Sequence, residues 1–135
     1  MREQLTTRCT HIEEAYEFML AYAAQGLATD AGSGAGTQAR HFLGRLDAAL
    51  GGLGDVFRAV VAAEQPAGAE HYAAYIEVLD RDARSSQAAV RLVLAQPGIS
   101  SQLVDNLNAS IHLRALLTDV FLVDEILKST QPAKA

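Results

Sequence analysis

The sequence predicts an all-α protein that folds as an antiparallel four-helix bundle. Apolar residues recur at alternating steps of three and four along four successive segments, which is the spacing of one buried helix face. Of the 135 residues, 50% are hydrophobic, 20% are charged and three are prolines, a composition typical of an ordered helical domain. A chain of this length buries a core without disulfides or structural metal, so we expect one domain over residues 1–128.

The first helix is predicted over residues 3–25. Its apolar seam consists of Leu5, Cys9, Ile12, Tyr16, Met19 and Ala23. Gly26 follows the seam, and glycine is the residue that most often follows the end of a helix. Residues 27–36 contain three glycines and have Leu27 as their only large apolar side chain, so we expect a flexible loop there.

The second helix is predicted over residues 37–63, with Thr37 as its N-cap. Its seam is the most regular in the chain and consists of Ala39, Leu43, Leu46, Leu50, Leu53, Phe57 and Val60. Gly51, Gly52 and Gly54 lie in the middle of this segment, although glycine costs about 1 kcal/mol against alanine inside a helix. Because the apolar register continues across them unchanged, we predict one long helix with a weak centre.

The third and fourth helices are predicted over residues 69–95 and 100–128. A short turn that contains a proline and a glycine precedes each of them, and Ser100 or Ser101 is the expected N-cap of the fourth. Because these turns are short, we expect the helices that they join to run antiparallel. Residues 129–135 have little to bury and are expected to form a flexible tail.

Helix four carries more apolar surface than one bundle core requires. Its apolar residues do not fit a single stripe, and a helix that is apolar on most sides is usually buried on most sides. We therefore predict a homo-oligomer that forms through Leu113, Leu116, Val120, Leu122, Val123 and Ile126. Arg114 lies among apolar neighbours and must reach either water or a carboxylate, so we expect it to anchor the contact between subunits.

A polar cluster on the same helix is the main candidate for a binding site. At about 100° per residue, four polar side chains fall within roughly one quadrant of the helix. They are Asp105, Asn108, His112 and Asp119. In one interpretation they line a pocket, with Asp105 or Asp119 orienting the imidazole of His112. In the other they form the solvated stripe that an amphipathic helix needs in any case.

The four histidines do not have the spacing of a metal centre. A carboxylate-bridged di-iron site in a bundle needs a glutamate three residues before a histidine. In this chain those positions hold Arg8, Gln38, Gly68 and Ala109. We therefore expect no metal, and we expect no other cofactor because the sequence has no dinucleotide-binding or phosphate-binding glycine motif.

The charge and hydropathy of the chain argue against several classes of partner. The formal net charge is −5 and the isoelectric point is about 5.2, whereas nucleic-acid binders usually carry a basic patch. No run approaches the roughly 20 apolar residues that span a bilayer, and residues 1–10 lack the apolar core of a signal peptide. We expect no nucleic-acid or membrane partner and a cytoplasmic location.

The leading functional hypothesis is a non-enzymatic accessory, adaptor or assembly protein that acts through protein contacts. It depends on the surplus apolar surface of helix four and on the lack of a nucleophile with its base in the sequence. The alternative is a small-ligand-binding or catalytic bundle that uses His112, Asp105 and Asp119 in a pocket between helices. The motifs assign the chain to no family.

Overall fold

A computed structural model describes residues 1–130, which form six helices and no strand. The helices are α1 (Arg2–Ala23), α2 (Gly34–Leu50), α3 (Leu53–Glu64), α4 (Ala69–Leu94), α5 (Ser101–Ala109) and α6 (Ile111–Ser129). The all-α prediction is confirmed, but the prediction of four helices is wrong, because the segments predicted as helices two and four are each divided. Of the predicted tail 129–135, Ser129 ends α6 and residues 131–135 lie outside the described residues.

The break between α2 and α3 falls at two of the central glycines. The Gly51 N–H donates to the Asp47 carbonyl oxygen over 3.2 Å and closes the last turn of α2. Gly52 then has φ +67° and ψ 20°, a left-handed conformation that a right-handed helix does not contain. Leu50 and Leu53 flank the break and are 2% and 1% exposed. The apolar register therefore continues although the helix does not.

A second break divides the segment predicted as helix four. Ser110 has φ −58° and ψ 129°, and this ψ lies outside the helical range. The Ser110 N–H donates to the Leu107 carbonyl oxygen over 3.0 Å and ends α5, while α6 begins at the next residue. At the start of α5 the Ser100 hydroxyl accepts a hydrogen bond from the Leu103 N–H over 3.0 Å. Ser100 is thus the N-cap of this segment.

α2 begins earlier than the sequence predicts. Its N-cap is Ser33 rather than Thr37, because the Ser33 hydroxyl accepts a hydrogen bond from the Gly36 N–H over 2.9 Å. A Cβ on Gly36 would lie 1.8 Å from a backbone oxygen of the preceding loop, so this close approach requires glycine. The predicted loop 27–36 therefore ends at Ser33.

Each of the two longest helices contacts all four shorter ones. α1 packs against α2, α3, α5 and α6, and α4 packs against the same four helices. The core between them contains the largest fully buried side chains, among them Tyr22, Leu5, Ile12, Met19, Leu43, Leu46, Ile76 and Leu113. Burying a leucine-sized side chain contributes about 1.5 to 3 kcal/mol. This core therefore fixes the positions of the helices that form the candidate site.

Asp30, in the loop between α1 and α2, forms an ion pair with Arg40 on α2 and a hydrogen bond with Ile99 in the turn between α4 and α5. The Asp30 carboxylate accepts hydrogen bonds from Arg40 Nε over 2.5 Å and from the Ile99 N–H over 2.7 Å. The Arg40 guanidinium also donates to the carbonyl oxygens of Leu94 and Gln96 at the end of α4. The Arg40 hydrogen bond is the largest cause that holds the pKa of Asp30 below its usual value. We call Asp30, Arg40 and Ile99 the loop latch.

Candidate functional site

An apolar groove opens between the end of α3, the start of α4 and the second half of α6. Its volume is about 340 Å³, and its lining residues are Phe57, Ala67, Gly68, His71, Tyr72, Tyr75, Val123 and Ile126. Gly68 has φ +78°, and this left-handed conformation at the N-cap turns the chain directly from the α3–α4 connection into α4. The short turn therefore places the first residues of α4 against the end of α3.

Three aromatic rings line this groove. Phe57 belongs to the apolar seam of α3, while Tyr72 and Tyr75 lie three residues apart on one face of α4. The Phe57 and Tyr72 rings meet at 71° with their centroids 6.2 Å apart, an edge-to-face arrangement that aromatic pairs favour. Ile126 is 38% exposed and the His71 side chain is 87% exposed. The groove thus has aromatic walls and one side open to solvent.

Tyr75 connects the groove to a buried carboxyl group. Its hydroxyl donates a hydrogen bond to Oδ1 of Asp119, which lies on α6 one helical turn before Val123. Asp119 is 4% exposed, and its Oδ2 has no hydrogen-bond partner among residues 1–130. Buried polar atoms in proteins nearly always have a partner. A proton shared with the neighbouring carboxyl of Asp82 on α4 would supply this partner.

Two causes favour the neutral form of Asp119. Burial is the larger, because an ionised carboxylate loses its hydration in the interior, and the neighbouring carboxyl of Asp82 on α4 is the second. The Tyr75 hydrogen bond acts in the opposite direction because it stabilises the ionised form. Together they raise the pKa of Asp119 from 3.8 to about 7. Burial and the same hydrogen bond also raise the pKa of Tyr75.

The break at Ser110 divides the predicted polar cluster between two helices. Asp105 and Asn108 lie on α5, whereas His112 and Asp119 lie on α6. Asp105 and His112 are exposed, and the side-chain amide of Asn108 is buried with no partner among residues 1–130. Within the same residues, no hydrogen bond or ion pair joins any two of the four side chains. Asp119 is the member that hydrogen bonds to a residue of the groove.

Four of the six predicted interface residues lie in the core of the chain itself. Each is 2% exposed or less, because α1 and α4 cover this side of α6. They are Leu113, Leu116, Val120 and Val123. The other two, Leu122 and Ile126, are 48% and 38% exposed. A second subunit can therefore contact only Leu122 and Ile126 from the predicted set.

Another side of α6 faces solvent along most of the helix. Its residues are Ile111, Arg114, Thr118, Phe121, Leu122 and Glu125, which we call the outer face of α6. Ile111 is 77% exposed, and Phe121 and Leu122 are 49% and 48% exposed. Arg114 lies beside Ile111 and Thr118, and its guanidinium has no hydrogen-bond or ion-pair partner among residues 1–130. Within residues 1–130, Arg114 therefore makes no contact that tests its expected role as an anchor between subunits.

Tyr75 and Asp82 are site residues that the sequence did not single out. Both lie on α4, seven residues apart, on the same side as the buried seam residue Leu79. A tyrosine and an aspartate seven residues apart beside an apolar seam lie on one helix face, and this spacing can be read from the sequence. The sequence does not reveal that this face meets Asp119, because the pairing of α4 with α6 is a tertiary contact.

The side chains and helices of residues 1–130 were compared with the requirements of metal binding and membrane insertion. In this part of the chain no group of three or more His, Cys, Asp or Glu side chains is placed to hold a metal ion. Nor does any helix within it have both the length and the hydropathy needed to cross a membrane. Comparison with known proteins finds no matching family model, no similar curated protein and no similar solved structure.

Proposed function

We propose that this protein binds a small, mainly apolar molecule in the groove. The observation that carries the proposal is one groove of about 340 Å³ with apolar and aromatic walls, one of which, Tyr75, is held by its hydrogen bond to the buried Asp119 carboxyl. Ligand sites in proteins are concavities of about 300 to 1,000 Å³ with a mostly apolar lining and a few placed polar groups. The groove has both this volume and this composition.

The burial of the groove walls also supports the proposal. Phe57 and Val123 are 3% and 2% exposed, so the core of the protein already holds these walls in place and little ordering is needed on binding. Ile126 is 38% exposed at the open side. A ligand that covers it removes apolar surface from water, which is the main favourable contribution to such binding.

Calorimetric titration with 2-naphthalenemethanol, a neutral aromatic alcohol, tests the proposal. We expect the wild type to bind one equivalent and to unfold at a higher temperature in its presence, because a ligand that binds only the folded state stabilises it. Ile126→Trp fills the open side of the groove from a partly exposed position, so this variant should lose the heat of binding.

Leu122→Trp is the matched control, because Leu122 lies on α6 one turn before Ile126 but does not line the groove. This variant should bind the alcohol as tightly as the wild type does. Binding that is equal in the wild type and in Ile126→Trp would place the molecule elsewhere and contradict the proposal. The absence of binding by the wild type would contradict it as well.

A second candidate function, a homo-oligomeric accessory protein, is favoured by the outer face of α6. A two-fold axis placed midway between Thr118 and Phe121 would pair two α6 helices in antiparallel orientation. Arg114 of one copy would then lie opposite Glu125 of the other, since the two residues are equidistant from the axis and both are exposed. This charge complementarity supports a second copy as the partner and would give Arg114 its anchoring role.

A further inference from the structure

We infer that a proton shared between two carboxyl groups fastens α6 to α4, and that its loss as the pH rises opens the second half of α6, which forms one wall of the groove. The shared proton joins Asp119 of α6 to Asp82 of α4, and a second hydrogen-bonded pair joins Asp124 of α6 to Glu13 of α1. We call them the α4 acid pair and the α1 acid pair. The inference concerns the folded chain itself and does not depend on a ligand.

The α4 acid pair contains a proton as a consequence of its geometry. Asp119 is 4% exposed, and its side chain lies within hydrogen-bond distance of the Asp82 carboxyl. Its Oδ1 already accepts the proton of the Tyr75 hydroxyl, so Oδ2 is the oxygen left for Asp82. An ionised carboxylate only accepts hydrogen bonds, so two carboxyls bond to each other only when one of them keeps its proton.

Among residues 1–130, no cation faces the α4 acid pair to compensate for the loss of that proton. The groups that act on Asp119 are Asp82 and Tyr75, both on α4. The arginines of α4 are exposed or pair with other acids, and they are Arg81, Arg84 and Arg91. The charged side chain of α5 is the exposed Asp105, which is also acidic. Ionisation would therefore place two negative charges in the contact between α4 and α6, and like charges in one site repel each other.

The α1 acid pair differs because it has a cation beside it. Burial is the largest cause that raises the pKa of Glu13, the Asp124 carboxyl is the next, and Glu17 adds to them. Lys128 opposes this shift and forms an ion pair with Asp124 over 3.2 Å. The thiol of Cys9 lies near the same pair and stays neutral, because burial raises its pKa to about 12. The α4 acid pair is therefore the contact of α6 that responds to pH without compensation.

The second half of α6 is the part that such repulsion opens. The first half is held by a hydrogen bond from the Ser86 hydroxyl to the His112 carbonyl oxygen over 3.0 Å and by the buried side chains of Leu113, Leu116 and Leu117. Along the second half, the groove lies beside Val123 and Ile126, so α6 and α4 pack incompletely there. Segments with few buried apolar contacts open locally while the rest of a protein stays folded. We therefore expect residues 119–129 to open as a unit.

Amide hydrogen exchange of the whole chain at about pH 5 and about pH 7.5 tests this inference. Each rate is divided by that of an unstructured chain at the same pH, so that only the opening of the structure is compared. The closed form keeps a proton that the open form loses between the ordinary carboxyl pKa and about 7, so the closed form loses stability through this range and none above it. We expect residues 119–129 to open about fiftyfold more often at the higher pH. There they should also open roughly tenfold more often than the most slowly exchanging amides of α2.

Asp119→Asn and Asp82→Asn should remove the pH dependence of this opening. In each variant an amide N–H takes the place of the shared proton and is kept at both pH values, while the size of the side chain is unchanged. The two rates should then agree within about threefold. Glu125→Gln is the matched control, since it neutralises an exposed carboxyl on the same half of α6 and should keep the full pH dependence.

A wild type whose opening does not change with pH would overturn the inference, and so would a pH dependence that persists in both Asp119→Asn and Asp82→Asn. Exchange in residues 119–129 that is no faster than in α2 would overturn it as well, because the opening would then be that of the whole protein. Far-UV circular dichroism at both pH values establishes that the variants are folded. Because no ligand is present, these results are independent of the proposed function.

Discussion

The Tyr75 hydroxyl donates a hydrogen bond to the Asp119 carboxyl across the contact between α4 and α6. It thereby joins a residue that lines the groove to a carboxyl that is 4% exposed and has an unpartnered oxygen among residues 1–130. Because the same pair lies in the packing between two helices, it should affect both the stability of the fold and the chemistry of the groove.

The free energy of unfolding of Asp119→Asn should increase relative to that of the wild type as the pH rises. The pKa of Asp119 is about 7 in the folded state and near 3.8 when unfolded, so the folded protein holds a proton that the unfolded chain loses between these values. Wild-type stability should therefore fall through this window and level off above it. Asparagine does not titrate, so urea unfolding should show a relative gain on the order of 4 kcal/mol between about pH 4 and pH 8.

The control for this measurement is Asp105→Asn, which changes an exposed aspartate on α5. Its unfolding free energy should follow that of the wild type at every pH. If the difference between Asp119→Asn and wild type does not change with pH, the Asp119 carboxyl is ionised throughout and the description of a neutral buried acid is wrong.

Gly52→Ala should destabilise the protein by about 1 to 2 kcal/mol, because alanine at a left-handed φ of +67° brings its Cβ too close to the backbone. Gly44→Ala is the matched substitution inside α2, where the Cβ would have no atom within 4 Å. It should stabilise by about 0.4 to 1 kcal/mol, through helix propensity and a less flexible unfolded chain. Denaturant midpoints that rise for both variants would mean that the helix is continuous through Gly52.

Asp30→Ala should destabilise the protein by about 1 to 3 kcal/mol, because it leaves the Ile99 N–H and the Arg40 guanidinium without their acceptor. The pKa of Asp30 is lowered in the folded state, so this stability is present above the ordinary carboxyl pKa and lost as the pH falls below it. The control is Asp55→Ala, since Asp55 is 79% exposed in its pair with Arg58 and should contribute less than about 1 kcal/mol. An equal loss of stability from the two substitutions would contradict a specific contribution of the loop latch.

Leu122→Glu should shift the protein from dimer to monomer in light scattering if the outer face of α6 meets a second copy. Placing a charge against apolar surface at a symmetric interface is unfavourable twice, so association should weaken by several orders of magnitude. Leu92→Glu is the control, because Leu92 is 66% exposed on α4 and lies outside this face. A wild type that is monomeric at micromolar concentration would end the dimer proposal.

The periodicity of the sequence predicts which residues are buried better than where the helices end. The seam of the predicted second helix is buried on both sides of Gly52, because a single left-handed residue changes the direction of the chain without changing which side of it is apolar. The same limit applies at Ser110, where one ψ value separates α5 from α6. Periodicity carries no information about such single-residue breaks.

The candidate site was less predictable than the fold. The spacing of polar residues identifies Asp119 but predicts Asp105 and His112 as its neighbours, because it assumes one helix where the structure has a break at Ser110. Its actual neighbour Tyr75 comes from α4, and only the packing of α4 against α6 brings the two together. Contacts between distant segments depend on the whole fold, which a local pattern does not specify.

Nuclear Overhauser measurements on the complex with 2-naphthalenemethanol test most directly whether the groove is a ligand site. We predict contacts from the naphthyl protons to the Val123 and Ile126 methyl groups and to the Phe57 and Tyr72 rings, all of which line the groove. Contacts limited to the outer face of α6, or no contact with the protein at all, would contradict the proposal.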